Sequence, residues 1–311
     1  MKSSLRDIWK GWRRGLALRL ASGLGQRLRP PPSPTLGILA YHRIAPCVVG
    51  QPAPTYNVTP DRFRRQIQGL LESGFCPWSL SGVLQRMARG EGLPPRAFVV
   101  TFDDGYECLY TQAYPILQEL RVPATIFLAT AYLDDGRPFL FDDWAATGSS
   151  RVPADTWRPL RSAQCAAMLA SDLIELGSHT HTHADFRGQP QLMEDEVRTS
   201  LDVLHSRFGL EKAAFAYPFG AVDAGLVAAV RRAGATCALT TANNLVRPES
   251  DLFAWGRITT VQSDTPQMLA AALEGRYEHL RTAWRRLRRW PHRWLRRARW
   301  STSEASGVSP P

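Results

Sequence analysis

Three imidazoles fall within five residues at His179, His181 and His183, in the stretch ELGSHTHTH. Two adjacent carboxylates, Asp103 and Asp104, close the stretch RAFVVTFDDGY. An extended segment places side chains i, i+2 and i+4 on one face, whereas a helix aligns only i and i+4. Imidazole is the commonest metal ligand, and three at period two after an apolar run exceed what packing explains. An Asp-Gly turn would account for Asp104-Gly105 by itself. Adjacent carboxylates are costly, however, unless a cation separates their roles. A metal does this: one Asp ligates it and its neighbour stays free as a base. Two His and one Asp leave positions open for water and substrate. Such a site suits hydrolysis, in which the metal polarises a carbonyl and acidifies water while the spare carboxylate accepts the proton.

The pattern of elements supports a common pocket. LGILAYH (Leu36–His42) is an apolar run with a polar end, as a buried strand would be. Thr59 and Pro60 then form a helix start, with Phe63, Ile67, Leu70 and Leu71 as its apolar stripe and Gly74 as its stop. RAFVVTFDDGY, ATIFLAT, DLIELGSHTHTH, AAFAYPFG, TCALTT and FAWGRITTV read as strands. Helices are expected over ECLYTQAYPILQEL, near Ser162–Ala170, and over QLMEDEVRTSLDVLHSRFG, with Leu192, Val197, Leu201 and Leu204 on the apolar side of the last. VDAGLVAAVRRAGA and TPQMLAAALEG complete the helices. Alternation at this spacing predicts an α/β fold: a distorted (β/α) barrel of about seven parallel strands. Polar clusters sit at four strand ends: Tyr41-His42, Asp103-Asp104, His179 to His183, and Tyr217-Pro218. Parallel α/β folds bind ligands at that end, so the four should face one another.

The 311 residues, 44% hydrophobic and 21% charged, suffice for a sizeable core. The net charge of +10 is concentrated at the ends. Residues 1–30 hold eight Lys/Arg against Asp7, and residues 276–300 hold ten Arg against Glu278, so the body between them is net acidic. This organises the chain as a basic amphipathic segment (1–33), a catalytic domain (34–275) and an Arg/Trp-rich tail (276–311). Five widely spaced cysteines without a C-x-x-C argue against a disulfide framework or zinc knuckle. Arg13, Arg14 and Arg19 interrupt the N-terminal apolar stretch, which disfavours a signal peptide, and nothing approaches the ~20 apolar residues of a membrane span. The expectation is a cytoplasmic protein, peripheral on the inner face of the membrane. Its Trp and Arg residues would meet an anionic lipid surface, and nucleic acid is not expected.

TFDDGY, HTHTH and FAYPFG, in this order, resemble the motifs of the polysaccharide deacetylases (NodB-homology, carbohydrate esterase family 4). LAYHRI, NVTPDRFRRQIQGLLESGF and PATIFLAT extend the resemblance over roughly Leu36 to Val261. It implies a NodB-type barrel and a divalent metal, usually zinc, held by Asp104, His179 and His183. Asp103 would be the base, the Phe219 backbone N–H would hold the oxyanion, and Tyr217 and Pro218 would meet substrate. His181 falls on a variable position. The reaction implied is removal of an N-acyl group, acetyl first, from an amino sugar of a polysaccharide or lipid-linked glycan. A deformylase on a lipid-linked amino sugar and a low-turnover, metal-retaining glycan binder are the alternatives. Two departures bear on this. Ala216 stands where the family often has the arginine that orients the base, and Leu239-Thr240-Thr241 stands where Leu-x-His commonly supplies the general acid. His42 and His181 are the candidates for that acid.

Overall fold

Six consecutive buried residues, Ala97–Phe102, form the longest strand (β5), and the sheet is organised around it. The computed structural model describes residues 34–51, 53–142 and 151–276. The basic segment 1–33 and the tail beyond Arg276 lie outside the described residues. In chain order β1 (Gly37–Tyr41), β2 (Arg43–Ile44) and β3 (Asn57–Val58) precede α1 (Pro60–Glu72). β4 (Cys76–Pro77) and α2 (Leu80–Ala88) lead to β5, followed by a π-helical turn, Leu109–Ala113, and α3 (Tyr114–Leu120). Then come β6 (Ala124–Leu128), α4 (Ser162–Leu169), β7 (Ile174–Ser178), α5 (Pro190–Phe208), β8 (Phe215–Ala216), α6 (Ala224–Ala233), β9 (Ala238–Leu239), β10 (Ile258–Thr259) and α7 (Pro266–Leu273).

The sheet runs β10-β1-β5-β6-β7-β8-β9, with β4 paired beside β5 and every pair parallel. One stretch of chain ties its two edges together. Trp255 pairs with Leu239 on β9, and three residues later Ile258 pairs with Leu39 on β1. The expected distorted barrel is therefore present, with eight strands. The distortion lies in β8, β9 and β10, which are two residues long each.

Inside the curl, Ile38, Val99, Phe127, Ala216, Leu239 and Trp255 form one buried cluster with Leu80 and Val83 of α2. The sequence reading missed α2, although Ser79 caps it by accepting the Gly82 N–H, and Leu80, Val83, Leu84 and Met87 have helical spacing. Gly177 in β7 leaves room for this core. A Cβ there would lie 2.5 Å from the Phe127 ring and 2.9 Å from the Ala214 carbonyl oxygen.

Two details of the helices differ from expectation. Thr59 occupies the N-cap position of α1 with extended backbone, yet its hydroxyl accepts from Gln262 Nε2 and caps no helical N–H. On α5, Leu192 is 51% exposed, and the buried stripe is Met193, Val197, Ser200 and Leu204. Val197 and Leu204 are buried as expected and Leu201 packs half-buried against the core, whereas Leu192 gives way to Met193 where α5 meets α6 and β7. Among the described residues, no helix is long and apolar enough to cross a membrane. All five cysteines are free thiols.

Gly177→Ala should destabilise the protein by about 1–3 kcal/mol through overpacking against Phe127, read as a lower urea midpoint at unchanged slope.

Candidate active site

β5 ends in two carboxylates that the backbone sends in different directions. The Asp103 N–H donates to the Tyr41 carbonyl and so extends the ladder by one residue. Asp104 then turns with φ of 71° and Gly105 with φ of 87°. Left-handed backbone is uncommon outside Gly but comparatively accessible to Asp.

Asp103 meets an arginine from the far end of the chain. Arg257 Nη1 and Nη2 donate to its two carboxylate oxygens at 2.6 and 2.7 Å, and Arg257 is fully buried. The guanidinium is itself held, with Nε donating to the Thr240 carbonyl at 3.0 Å and Nη1 reaching Thr101 Oγ1 at 3.3 Å. Burial would raise the Asp103 pKa, but the Arg257 charge outweighs it, assisted by His179 and the arginine hydrogen bonds. The result lies below the usual carboxylate range. His42 Nε2 is 3.9 Å from Asp103 Oδ2, and its ring stacks on Tyr56 at 4.8 Å between centroids.

Asp104 faces two imidazoles. Its Oδ1 lies 3.5 Å from His179 Nε2 and 3.3 Å from His183 Nε2. The three side chains are buried, and one donor atom of each lies within 4.8 Å of the others. His179 Nδ1 is 2.7 Å from the Ala216 carbonyl, which can only accept, so that nitrogen carries the proton and Nε2 keeps its lone pair. Burial pushes the His179 imidazole down to about 4, which leaves it neutral near pH 7. Asp104 is held below its ordinary value: burial opposes the charge, but the hydrogen bond from His183 and the neighbouring imidazoles outweigh it. His183 Nδ1 is buried without a hydrogen-bond partner. One carboxylate and two imidazoles converging in this way, with one ring nitrogen of His183 left without a partner, are a donor set that fits a divalent cation.

These groups line a cleft of about 580 Å³ at the C-terminal ends of the strands. His42, Asp103, Asp104, His179, His183, Tyr217 and Phe219 all border it, so the four strand-end clusters do converge. Phe141 lies flat on His183 at 3.8 Å, and Phe219 meets the same ring edge-on at 4.9 Å. Pro218 is buried and does not border the cleft. The Tyr217 hydroxyl donates to the Phe253 carbonyl, so its contribution is wall shape. Thr241 borders the cleft at the position where the resemblance would put a histidine.

His181 does not border the cleft. β7 stops at Ser178, and Thr180 and His183 both turn left-handed, with φ of 64° and 60°. The histidines therefore do not share a face as an extended strand would place them. His181 Nδ1 is hydrogen-bonded to Thr130 Oγ1 at 3.0 Å instead. Arg257 was not anticipated. Its signal was an arginine within the apolar run FAWGRITTV, because arginine is almost never fully buried unless paired. Ala216 stands at the arginine position of the third motif, and Arg257, the residue before β10, pairs with Asp103.

The polysaccharide deacetylase family model matches residues 90–238. The chain is 25% identical over 229 residues to the poly-β-1,6-N-acetyl-D-glucosamine N-deacetylase of Staphylococcus epidermidis, covering 71% of this chain and 73% of that one. It is 32% identical over 127 residues to the enzyme of the same name from Escherichia coli, covering 40% of this chain and 18% of that protein. Among solved structures, IcaB of Ammonifex degensii superposes with a TM-score of 0.65 at 23% identity, covering 78% of this chain and 98% of that one. A Streptococcus pyogenes deacetylase, PplD, gives 0.64 at 23% identity, covering 79% and 99%. In barrel and in motifs the chain is thus similar to the polysaccharide deacetylases, whose family model matches its central part.

Arg257→Met should cost about 3–5 kcal/mol by leaving Asp103 charged and unpaired. Adding Asp103→Asn should recover part of that loss, so a double-mutant cycle in urea should give a clear coupling energy.

Proposed function

We propose that this protein is a metal-dependent amide hydrolase that removes acetyl from N-acetylglucosamine residues of a polysaccharide, with a β-1,6-linked chain as first choice. The observation that carries this reading is the split pair: Asp103 locked by Arg257, and Asp104 facing His179 and His183, all on one cleft. The names of the relatives from Staphylococcus epidermidis and Escherichia coli support the choice of glycan.

Asp104, His179 and His183 would hold the metal, for which zinc suits two imidazoles and a carboxylate. A cation bound there supplies Lewis-acid polarisation of the amide carbonyl and acidification of water. Asp103 takes the proton from the attacking water as its oxygen bonds to the carbonyl carbon. Arg257 fixes the carboxylate's orientation, and by lowering its pKa keeps it ionised and ready to accept. The Phe219 backbone N–H is the candidate donor to the oxyanion. When the C–N bond breaks, the amine nitrogen needs a proton. His42 is the candidate to give it, supported by its position on the cleft 3.9 Å from Asp103. His181 is turned away, and Thr241 offers only a hydroxyl. One water is consumed, and acetate and a free amine are released. Arg257 also bears on the low-turnover alternative, because the orienting arginine that Ala216 lacks is supplied from elsewhere.

For the basic ends we keep a membrane-surface role, motivated by the Trp and Arg content of residues 1–30 and 276–300. Deleting 1–33 and 277–311 together should abolish co-sedimentation with anionic vesicles; equal binding would contradict the role.

Asp103→Asn should lower kcat/KM for acetate release from β-1,6-linked N-acetylglucosamine oligomers by about 10²–10⁴-fold, with zinc still bound at one equivalent. His183→Ala should lose the zinc, and His181→Ala should keep it. Near-normal turnover by Asp103→Asn would overturn the mechanism, and release of formate from N-formylated oligomers without acetate release would move the assignment to a deformylase.

A further inference from the structure

We infer that Glu196, on α5, is a positioning residue that holds the turn carrying His183 and thereby sets the affinity of the site for its metal. This rests on the metal reading above.

The geometric problem begins where β7 ends. A chain continuing in extended form would carry position i+4 roughly 13 Å along the strand direction, at about 3.3 Å per residue. His183 instead returns to the same Asp104 oxygen that His179 faces. The return needs Thr180 and His183 in left-handed backbone, which a β-branched threonine adopts rarely. A conformation of that kind persists only where its surroundings over-determine it.

Three sets of contacts do so. Within the turn, the His183 N–H donates to Thr180 Oγ1 at 2.9 Å. On one flank, the N–H groups of Thr130 and Ala131 donate to the carbonyls of Thr180 and His181. On the other flank stands Glu196. Its Oε2 accepts two successive backbone N–H groups, from His181 at 3.0 Å and Thr182 at 2.8 Å, and its Oε1 accepts the Thr182 hydroxyl at 3.1 Å. Successive N–H groups point to the same side only in a turned backbone, so a single oxygen that takes both selects the turn over the strand. A carboxylate oxygen suits that double demand, because charge-assisted hydrogen bonds are the stronger ones. The 19-residue α5 is anchored by Met193, Val197 and Leu204, so Glu196 is presented from a fixed surface.

The turn is therefore clamped from outside the cleft by a residue that touches neither substrate nor metal. Loss of the clamp frees Thr180–His183 to relax, and the second imidazole no longer meets Asp104 without an ordering cost. Partners of this kind behind metal ligands are worth about 10–100-fold in affinity.

The test measures Zn²⁺ affinity by competition with a chromophoric chelator, and the visible spectrum of the Co²⁺-substituted full-length protein. It compares wild type with Glu196→Ala, Glu196→Gln and, as a neighbour on the same helix, Asp195→Ala. Glu196→Ala should bind Zn²⁺ about 10–100-fold more weakly with an altered Co²⁺ spectrum. Glu196→Gln keeps one oxygen acceptor, should fold as wild type does, and should fall between the two. Asp195→Ala should match wild type. Wild-type affinity and spectrum in both Glu196 variants would overturn the inference and leave the metal reading standing. Absence of Zn²⁺ binding by wild type itself would overturn the metal reading, and the inference with it.

Discussion

Two carboxylates on consecutive residues cannot share one environment while both are charged and buried. The fold separates them by a single left-handed residue, Asp104, at the end of β5. Asp103 continues the ladder toward β1 and meets a guanidinium, and Asp104 turns toward two imidazoles of the turn that follows β7. Each receives a different compensation for burial, one ionic and bidentate, the other from groups that can share a cation. If that separation failed, the two charges would face the same partners, and one of them would be protonated instead.

Barrel closure makes this possible. Arg257 lies between Trp255, which pairs with β9, and Ile258, which pairs with β1. The stretch that joins the two edges of the sheet thus also brings the cation to Asp103. His42 arrives separately, as the residue after β1, which pairs with β5. The family model covers residues 90–238, so both His42 and Arg257 lie outside it. The middle of the chain supplies the carboxylates and imidazoles, and the residues flanking the first and last strands, His42 after β1 and Arg257 before β10, surround Asp103.

The legible part of this was the part written in short-range pattern. Strand–helix alternation gave the barrel, and polar residues ending apolar runs gave the four clusters that meet in the cleft. Long-range features were harder to read. Arg257 is 154 positions from Asp103, and only its presence inside an apolar run hinted at a buried partner. Alternation put His179, His181 and His183 on one face because it assumed extended backbone, whereas Thr180 breaks that assumption by a side-chain bond to the His183 N–H that period-two reasoning does not include. Leu192 was assigned to the core from its residue type, but the tertiary surface selected Met193. α2 is only nine residues long, and although its cap and apolar spacing are legible, its place in the core is set by the strands it packs against.

The central claim is that Asp104, His179 and His183 form one metal centre while Asp103 stays free of the metal. A crystal of the protein grown with zinc, with anomalous data collected on both sides of the zinc edge, tests it most directly. The account predicts one strong peak in the cleft, within about 2.0–2.2 Å of Asp104 Oδ, His179 Nε2 and a ring nitrogen of His183, with Asp103 still paired to Arg257. A peak ligated by Asp103 or His181, or a cleft without zinc in crystals of a protein that hydrolyses its substrate without metal, would contradict it.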